Sequence, residues 1–145
     1  MGFERLFVDT WGWLVLVNRR DIHFGEVAQL RSVSRGGEWV TSDYVLDETI
    51  SRLFATYPFP IAHRFMDGLF QASGAGALDI EHVTPERFGE AWRLRAKYKD
   101  KPRISFTDLT SFVLMKELGI RRVLTGDAHF EHAGMGFERI PKSPH

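Results

Sequence analysis

The segment Arg122–Phe130, RVLTGDAHF, starts as a short apolar strand and then presents the acid Asp127 just beyond the strand's end. The segment Leu6–Thr10, LFVDT, has the same form, an apolar run followed directly by Asp9. One acid after a strand is ordinary turn chemistry, because Asp is common in turns. Two such endings in one short chain indicate a shared site.

Outward from these two segments, strand-like and helix-like patterns alternate along the chain. Thr84-Pro85-Glu86 has the cap, the first-turn proline and the acid that begin a helix, and Gly119 marks a helix end. The pattern predicts strands at residues 3–8, 38–41, 77–83 and 122–125, with a short fifth at 137–140. It predicts helices at residues 11–18, 22–35, 42–57, 60–72, 85–98 and 107–118.

Several helix boundaries rest on single residues. Ser42 and Thr107 are predicted N-caps, and either Asp9 or Thr10 is expected to cap the first helix. The second helix is predicted from an apolar stripe that ends before a pair of glycines. The stripe and the glycines are Ile22, Val27, Leu30, Val33, Gly36 and Gly37.

Strands separated by helices predict an α/β fold with a central parallel sheet of four to five strands and helices on both faces. Residues 1–145 are expected to form a single domain. In such sheets, ligands bind beyond the carboxyl ends of the strands, where the strand order reverses. If the first and fourth strands are neighbours, Asp9 and Asp127 meet in one cleft.

Composition excludes several classes of protein. The 145 residues carry no net charge, so nucleic-acid binding requires a local basic patch. The absence of cysteine excludes disulfides and thiolate chemistry. No apolar window reaches the length of a membrane span, and the N-terminus does not have the pattern of a signal peptide. We therefore expect a cytoplasmic protein that is not embedded in a membrane.

Two further acids are placed to join the cleft. Asp108 falls in the first turn of a predicted helix, and Glu48 lies at the edge of an apolar helical stripe. Each acid alone has an ordinary explanation, as a turn residue, a helix-dipole partner or a solvated side chain. Converging carboxylates repel one another unless a cation is present, and carboxylate oxygens suit Mg²⁺ or Mn²⁺. The set therefore predicts a site for one or both of these ions.

Four segments resemble, in order, the motif regions of the PIN-domain family, most closely the VapC-type toxins of prokaryotic toxin–antitoxin pairs. They are FVDTWGWLVLV (7–17), VTSDYVLDETI (40–50), ISFTDLTSFVLMKELGI (104–120) and VLTGDAHF (123–130). The resemblance implies an endoribonuclease that depends on Mg²⁺ or Mn²⁺, self-associates as a dimer and is silenced by a small antitoxin.

By the same resemblance, the catalytic and metal-binding acids are Asp9, Glu48, Asp108 and Asp127, with Thr10 and Thr125 in support. One position departs from the pattern, since Gly126 stands where many relatives have a bulkier or hydroxyl-bearing residue.

Other functions remain open at this point. Asp127, His129 and His132 form D-x-H-x-x-H, a pattern compatible with zinc. A haloacid dehalogenase-type phosphatase would need a second aspartate where Trp11 stands, which argues against it. A housekeeping RNA-processing nuclease and a non-catalytic RNA-binding module are the further alternatives.

The segment RLRAKYKDKPR (93–103) is the densest basic stretch and leads directly to Asp108. It is either a phosphate-binding patch for RNA or a solvated helix end whose lysines suit the dipole. The predicted RNA contacts are Lys97, Lys99, Lys101 and Arg103. For Trp11 and Trp13 we expect core packing, with base stacking by Trp11 as the alternative.

Overall fold

The computed structural model describes residues 4–34, 36 and 38–142. Strands and helices alternate through most of these residues, as the sequence predicts. The strands are β1 (Leu6–Val8), β2 (Trp39–Ser42), β3 (Asp79–Glu81), β4 (Arg122–Leu124) and β5 (Glu138–Ile140). The helices are α1 (Thr10–Val17), α2 (Phe24–Val33), α3 (Asp43–Thr56), α4 (Phe59–Gly74), α5 (Pro85–Lys97), α6 (Phe106–Leu118) and α7 (His129–His132).

The five strands form one parallel sheet in the order β3-β2-β1-β4-β5. The chain builds outward from β1 through β2 to β3, then returns to the other side of β1 for β4 and β5. The strand order therefore reverses between β1 and β4, where Leu6 is paired with Arg122 and Val8 with Leu124. A parallel α/β sheet binds ligands at such a reversal, so the neighbours that the sequence argument required are in place.

Helices cover both faces of the central strands. Successive side chains of a strand point to opposite faces, and every residue of β1 and β2 is buried. This burial pattern is typical of parallel strands enclosed between helical layers. The predicted α/β class is confirmed, including the short fifth strand.

Helix α1 lies unusually close to the sheet because of a glycine. A Cβ atom at Gly12 would lie 2.8 Å from Leu124 Cδ2 and 2.9 Å from Val8 Cγ1. No side chain fits in that space, so glycine permits the close approach. The approach sets the beginning of α1, and Asp9 before it, directly against the ends of β1 and β4.

The second predicted helix differs from expectation. Helix α2 begins at Phe24, and Ile22 is 88% exposed while Val33 at its last position is 63% exposed. Of the predicted stripe, Val27 is buried and Leu30 is half-buried. The prediction was wrong for the two outer positions because periodicity counts apolar residues without knowing whether a partner surface reaches them.

Helix caps were predicted with mixed success. Ser42 caps α3 as expected, accepting a hydrogen bond from the Val45 N–H at 3.1 Å. The prediction for Thr107 was wrong, because α6 begins at Phe106 and its N-cap is Ser105. Residue 9 occupies the N-cap position of α1, but its side chain makes no capping bond.

Phe3 of the first predicted strand and Gly37 of the predicted glycine stop lie outside the described residues. Within the described ranges, no helix combines the length and the apolar character that crossing a bilayer requires.

Candidate metal-binding active site

The carboxyl ends of β1 and β4 open into a cavity of about 450 Å³. All four predicted acids line it, together with both predicted threonines. The lining residues are Asp9, Thr10, Trp11, Glu48, Arg52, Arg103, Ser105, Asp108, Thr125, Gly126, Asp127 and Ala128. The acids come from two strand ends and two helices, so the sheet order and helix packing bring them together.

Thr125 links the two acids that follow the strands. Its hydroxyl donates a hydrogen bond to Asp9 Oδ2 at 2.8 Å and accepts one from the Asp127 N–H at 3.0 Å. A hydroxyl has one proton to donate, and here the Asp9 carboxylate accepts it. Thr125 therefore orients the Asp9 side chain and the backbone at Asp127 with one side chain.

Two carboxyl groups are held in an unfavourable environment. The pKa of Asp9 is raised to about 7, first by burial and then by the charge of Asp108, against the opposing hydrogen bond from Thr125. Burial, followed by the charge of Asp127, raises the pKa of Asp108 to about 6. Both acids therefore keep a proton to a higher pH than an ordinary aspartate does, and a cation in the cavity would offset the repulsion between their charged forms.

Asp108 is positioned by the beginning of α6. The backbone N–H of Asp108 donates to the Ser105 hydroxyl at 3.0 Å, which fixes the first turn of the helix. The Asp108 residue is only 6% exposed and points into the cavity rather than into bulk water. Its place in the first turn agrees with the helix dipole, but burial beside other acids requires a further reason.

His129 joins the acids, although the sequence indicated it only as part of the alternative zinc pattern. Ligand atoms of Asp108, Asp127 and His129 all lie within 4.8 Å of one another. The buried Nδ1 of His129 lies 3.1 Å from Asp127 Oδ2 and 3.5 Å from Asp108 Oδ2, without hydrogen-bond geometry to either. The sequence signal for this proximity was the D-x-H spacing. At that spacing the His129 N–H donates a hydrogen bond to Asp127 Oδ1 at 2.8 Å.

The predicted zinc pattern is not assembled as a set. Asp127 and His129 are close, but His132 is exposed and does not join the metal-ligand group found among the described residues. Asp108, from a separate helix, stands in its place. The group that the structure assembles therefore offers two carboxylates and one imidazole.

Glu48 lies at the rim of the cavity. Its side chain is 40% exposed and lies 3.6 Å from Arg52, one turn later on α3. Its negative charge contributes to the raised pKa of Asp9, the smallest of the causes. Arg52 was not predicted, although the i,i+4 spacing from a site acid is a signal that sequence reading can use.

Thr10 supports the site through contacts between α1 and α3. Its buried hydroxyl lies 3.3 Å from the Val45 carbonyl oxygen and 3.2 Å from the Thr49 hydroxyl, which fastens α1 to α3. Its backbone N–H donates to the Asp9 carboxylate and lowers the pKa of that group. Thr10 thus acts mainly through packing and backbone, while Thr125 acts through its side chain.

A family model for the PIN domain matches residues 6–135. This chain belongs to the PIN-domain family. The chain is 31% identical over 129 residues to the 23S rRNA-specific endonuclease VapC20 of Mycobacterium tuberculosis, a match that covers 89% of this chain and 94% of the relative. The resemblance read from the four motif segments is confirmed.

Solved structures agree with this assignment of the PIN fold. The crystal structure of M. tuberculosis VapC20, described as a Sarcin-Ricin loop cleaving toxin, matches with a TM-score of 0.76 at 28% identity, over 89% of this chain and 95% of that one. VapBC2 from Rickettsia felis, bound to a promoter DNA fragment, matches with a TM-score of 0.67 at 14% identity, over 92% and 97%. The second likeness concerns the fold alone.

In this PIN domain there is a structural reason why Gly126 departs from the family pattern of a bulkier or hydroxyl-bearing residue. A Cβ atom at Gly126 would lie 2.6 Å from Trp11 Nε1 and 2.7 Å from Trp11 Cδ1. The half-buried indole of Trp11, edge-on to His23 with ring centroids 5.2 Å apart, fills the space that a larger residue would need. Trp13 lies in the core as expected, at 1% exposed. Trp11 packs as expected too, but it also forms part of the cavity wall.

The four basic residues predicted to contact RNA have different surroundings in this PIN domain. Lys97 Nζ lies 5.4 Å from the centre of the Tyr98 ring, and Lys101 Nζ lies 3.6 Å from Asp100. Arg103 lines the acidic cavity, and Lys99 lines a separate groove beside α5. Of these four basic residues, Arg103 is therefore the one that lines the acidic cavity.

Proposed function

We propose that this protein is a metal-dependent endoribonuclease that serves as the toxin of a toxin–antitoxin pair. One observation carries the proposal: four acids from separate elements meet in a single cavity. They do so in a chain that is 31% identical to an rRNA endonuclease over 89% of its length.

The residues of the cavity fit a divalent cation. Asp9, Asp108 and Asp127 supply carboxylate oxygens from buried or half-buried positions, and Glu48 adds one from the rim. Burial and then the charge of a neighbouring acid raise the pKa of Asp9 and of Asp108, and a bound cation would offset the cost of ionising both groups. We propose that these four acids hold Mg²⁺ or Mn²⁺, which when bound supplies activation of water and stabilisation of the leaving oxygen of a phosphodiester.

The protein's own side chains have separate tasks around that centre. Thr125 holds the Asp9 carboxylate in one orientation through its hydroxyl. Arg52 and Arg103 line the same cavity and place positive charge where the phosphate of the cut bond must approach four acids. We assign these arginines to orienting the phosphate before cleavage.

For substrate and partners we propose the following. The relative VapC20 is named for 23S rRNA, and we propose a structured ribosomal RNA as the substrate class here too. We further propose a cytoplasmic homodimer that a small antitoxin silences by covering the cavity.

The test of the chemistry is RNA cleavage by the purified protein in Mg²⁺ or Mn²⁺. EDTA should abolish cutting, and zinc alone should not restore it. Asp108→Asn should lose nearly all activity, whereas the matched change Asp67→Asn, at an exposed acid on α4, should keep it. Equal cutting in EDTA, or full activity of Asp108→Asn, would contradict the proposed centre.

The test of the biological role is expression in cells. Induction of the protein should arrest growth, Asp108→Asn should not, and co-expression of a small adjacent reading frame should restore growth. An active nuclease that leaves growth unaffected would instead be a housekeeping RNA-processing enzyme.

A further inference from the structure

A groove of about 690 Å³ lies beside the carboxyl end of α5, outside the acidic cavity. Its lining is aromatic, aliphatic and basic, and it contains no acid. The lining residues are Trp92, Arg93, Arg95, Ala96, Lys99 and Pro102. A surface that combines an exposed aromatic ring with positive charge is suited to nucleic acid, whose bases stack and whose phosphates are negative.

Trp92 is the unusual member of this groove. Its side chain is 64% exposed, and the indole has no ring partner among the described residues. Phe88, one turn earlier on the same helix, is also exposed at 46% but packs on Phe106 with ring centroids 4.9 Å apart. Phe88 therefore has a structural role in joining α5 to α6, and Trp92 does not have a comparable one.

Arg95 makes the groove rigid. Its guanidinium donates to the carbonyl oxygens of Tyr98, Lys101 and Ile104 at 2.9, 2.8 and 2.5 Å. These bonds hold the connection between α5 and α6 in one shape. Arg95 is thus occupied with backbone carbonyl groups, and Lys99 and Arg103 both lie in the connection that these bonds hold.

The groove and the acidic cavity are joined by consecutive residues. Pro102 lines the groove, and Arg103, the next residue, lines the cavity. Among the described residues, neither the Lys99 ammonium group nor the Arg103 guanidinium group makes a hydrogen bond or an ion pair. Two free cations therefore mark a path from the indole to the acids in a protein whose net charge is zero.

We propose that this groove is a second RNA subsite, in which a base from a single-stranded part of the substrate stacks on Trp92. Lys99 and Arg103 contact the phosphates that lead from that base to the acids. The inference rests on the proposed ribonuclease function and specifies how its substrate is held. It narrows the sequence prediction from four basic residues to the two that the structure leaves free along the path.

The experiment measures binding of fluorescently labelled single-stranded RNA in an Asp9→Asn background, which prevents cutting. Trp92→Ala should weaken binding by roughly 5- to 150-fold, the range for loss of one base–aromatic stack. Trp92→Phe keeps a ring and should retain most of the affinity. A fully paired RNA duplex should show little dependence on Trp92, because its bases are already stacked.

Charge is tested with a matched pair of lysines. Lys99→Ala should reduce the slope of log affinity against log salt by about 0.7, as expected for one lost phosphate contact on a single strand. Lys97→Ala removes the same charge two residues away, beside the Tyr98 ring, and should leave the slope unchanged. Equal slopes for the two variants would overturn the assignment of Lys99.

A second copy of the chain is the competing occupant. If Trp92→Ala converts a dimer to a monomer in sedimentation while RNA affinity stays unchanged, the groove is a protein interface and the inference fails. The proposed function is judged separately, by cleavage. If RNA binding depends on Trp92 but nothing is cut, the subsite stands and the nuclease proposal fails. If RNA is cut with the same KM by wild type and Trp92→Ala, the subsite fails alone.

Discussion

At the scale of single residues, the site is defined by carboxyl groups that are costly to bury. Asp9 is 7% exposed, and its pKa of about 7 arises first from burial and then from the charge of Asp108. A structural turn residue would be expected to lie at the surface or to pair with a cation of the protein. Among the described residues, the side chain that bonds the Asp9 carboxylate is the neutral hydroxyl of Thr125, and no basic side chain of the described residues pairs with it.

Replacing Asp9 with Asn should stabilise the metal-free protein. The change removes one charge and keeps an oxygen that accepts the Thr125 bond, so the unfolding free energy should rise by about 0.5–2 kcal/mol at pH 8. Mn²⁺ at about tenfold excess over Kd should stabilise wild type by roughly 1.4 kcal/mol, and Asp9→Asn should lose most of that gain. Thermal melts with and without Mn²⁺ measure both effects.

The matched control for this prediction is Asp67→Asn, at an exposed acid that pairs with His63 on α4. It should leave the Mn²⁺ shift intact. If Asp9→Asn instead lowers the stability of the metal-free protein and keeps the full shift, Asp9 is a structural turn residue.

Thr125 should matter through its hydroxyl alone. Thr125→Val keeps the shape but removes the donor to Asp9 and the acceptor of the Asp127 N–H, which should cost about 1–3 kcal/mol of stability. Because the orientation of a ligand is lost, Mn²⁺ affinity should fall by roughly 10- to 100-fold. Thr125→Ser restores the hydroxyl and should recover most of the lost stability and most of the lost Mn²⁺ affinity. Calorimetric titration with Mn²⁺ measures the affinity. Equal affinities for the Val and Ser variants would contradict this role.

At the scale of elements, two close approaches set α1 against the ends of the strands. Gly12 lets α1 lie on Val8 and Leu124, and Gly126 lets the Trp11 ring lie over the connection that follows β4. Each contact leaves no space for a Cβ atom. The beginning of α1 is thereby fixed at the same edge of the sheet as the residues after β4, which is where the cavity opens.

Gly126→Ala should therefore destabilise the protein through Trp11. A methyl group 2.6 Å from the indole nitrogen must displace the ring, at a cost of about 1–3 kcal/mol. In the Trp11→Ala background the same change should cost much less, so a double-mutant cycle in urea unfolding should give a clear coupling energy. Gly68→Ala, where a Cβ meets nothing within 4 Å in α4, is the control and should not destabilise. Additive effects of the two changes would show that the ring is not the obstacle.

At the scale of the whole molecule, the buried acids link folding to pH. Asp9 and Asp108 have ordinary values of 3.8 and folded pKa values of about 7 and about 6. Between these limits the folded protein binds more protons than the unfolded chain, so the unfolding free energy falls as pH rises. The acids therefore destabilise the metal-free protein most above about pH 7 and not at all below about pH 4.

Urea unfolding in EDTA from pH 4.5 to 8 should display this decline, and Asp9→Asn should make it shallower. Saturating Mn²⁺ should remove it, because the cation binds the deprotonated carboxylates and binds them better as pH rises. A wild-type curve with the same pH dependence as that of Asp9→Asn would mean that Asp9 does not titrate in this range.

The sequence by itself determined the class of the fold and the identity of the four acids. Hydrophobic runs, helix caps and turn residues are local signals, and alternation of strands and helices leaves a parallel sheet as the consistent arrangement. Four motif segments in order then placed Asp9, Glu48, Asp108 and Asp127 in one family pattern. The family assignment is confirmed, and the metal-binding role of these acids stays a prediction.

Only the tertiary structure decided what surrounds those acids. Asp108 lies beside Asp127 and His129 in place of His132, and Arg103 lines the acidic cavity while Lys99 lines a separate groove. Local patterns could not give these results, because each depends on the angle at which one element meets another. Burial decided the rest: the exposure of Ile22 and the raised pKa of Asp9 both depend on whether residues distant in the chain come to cover them.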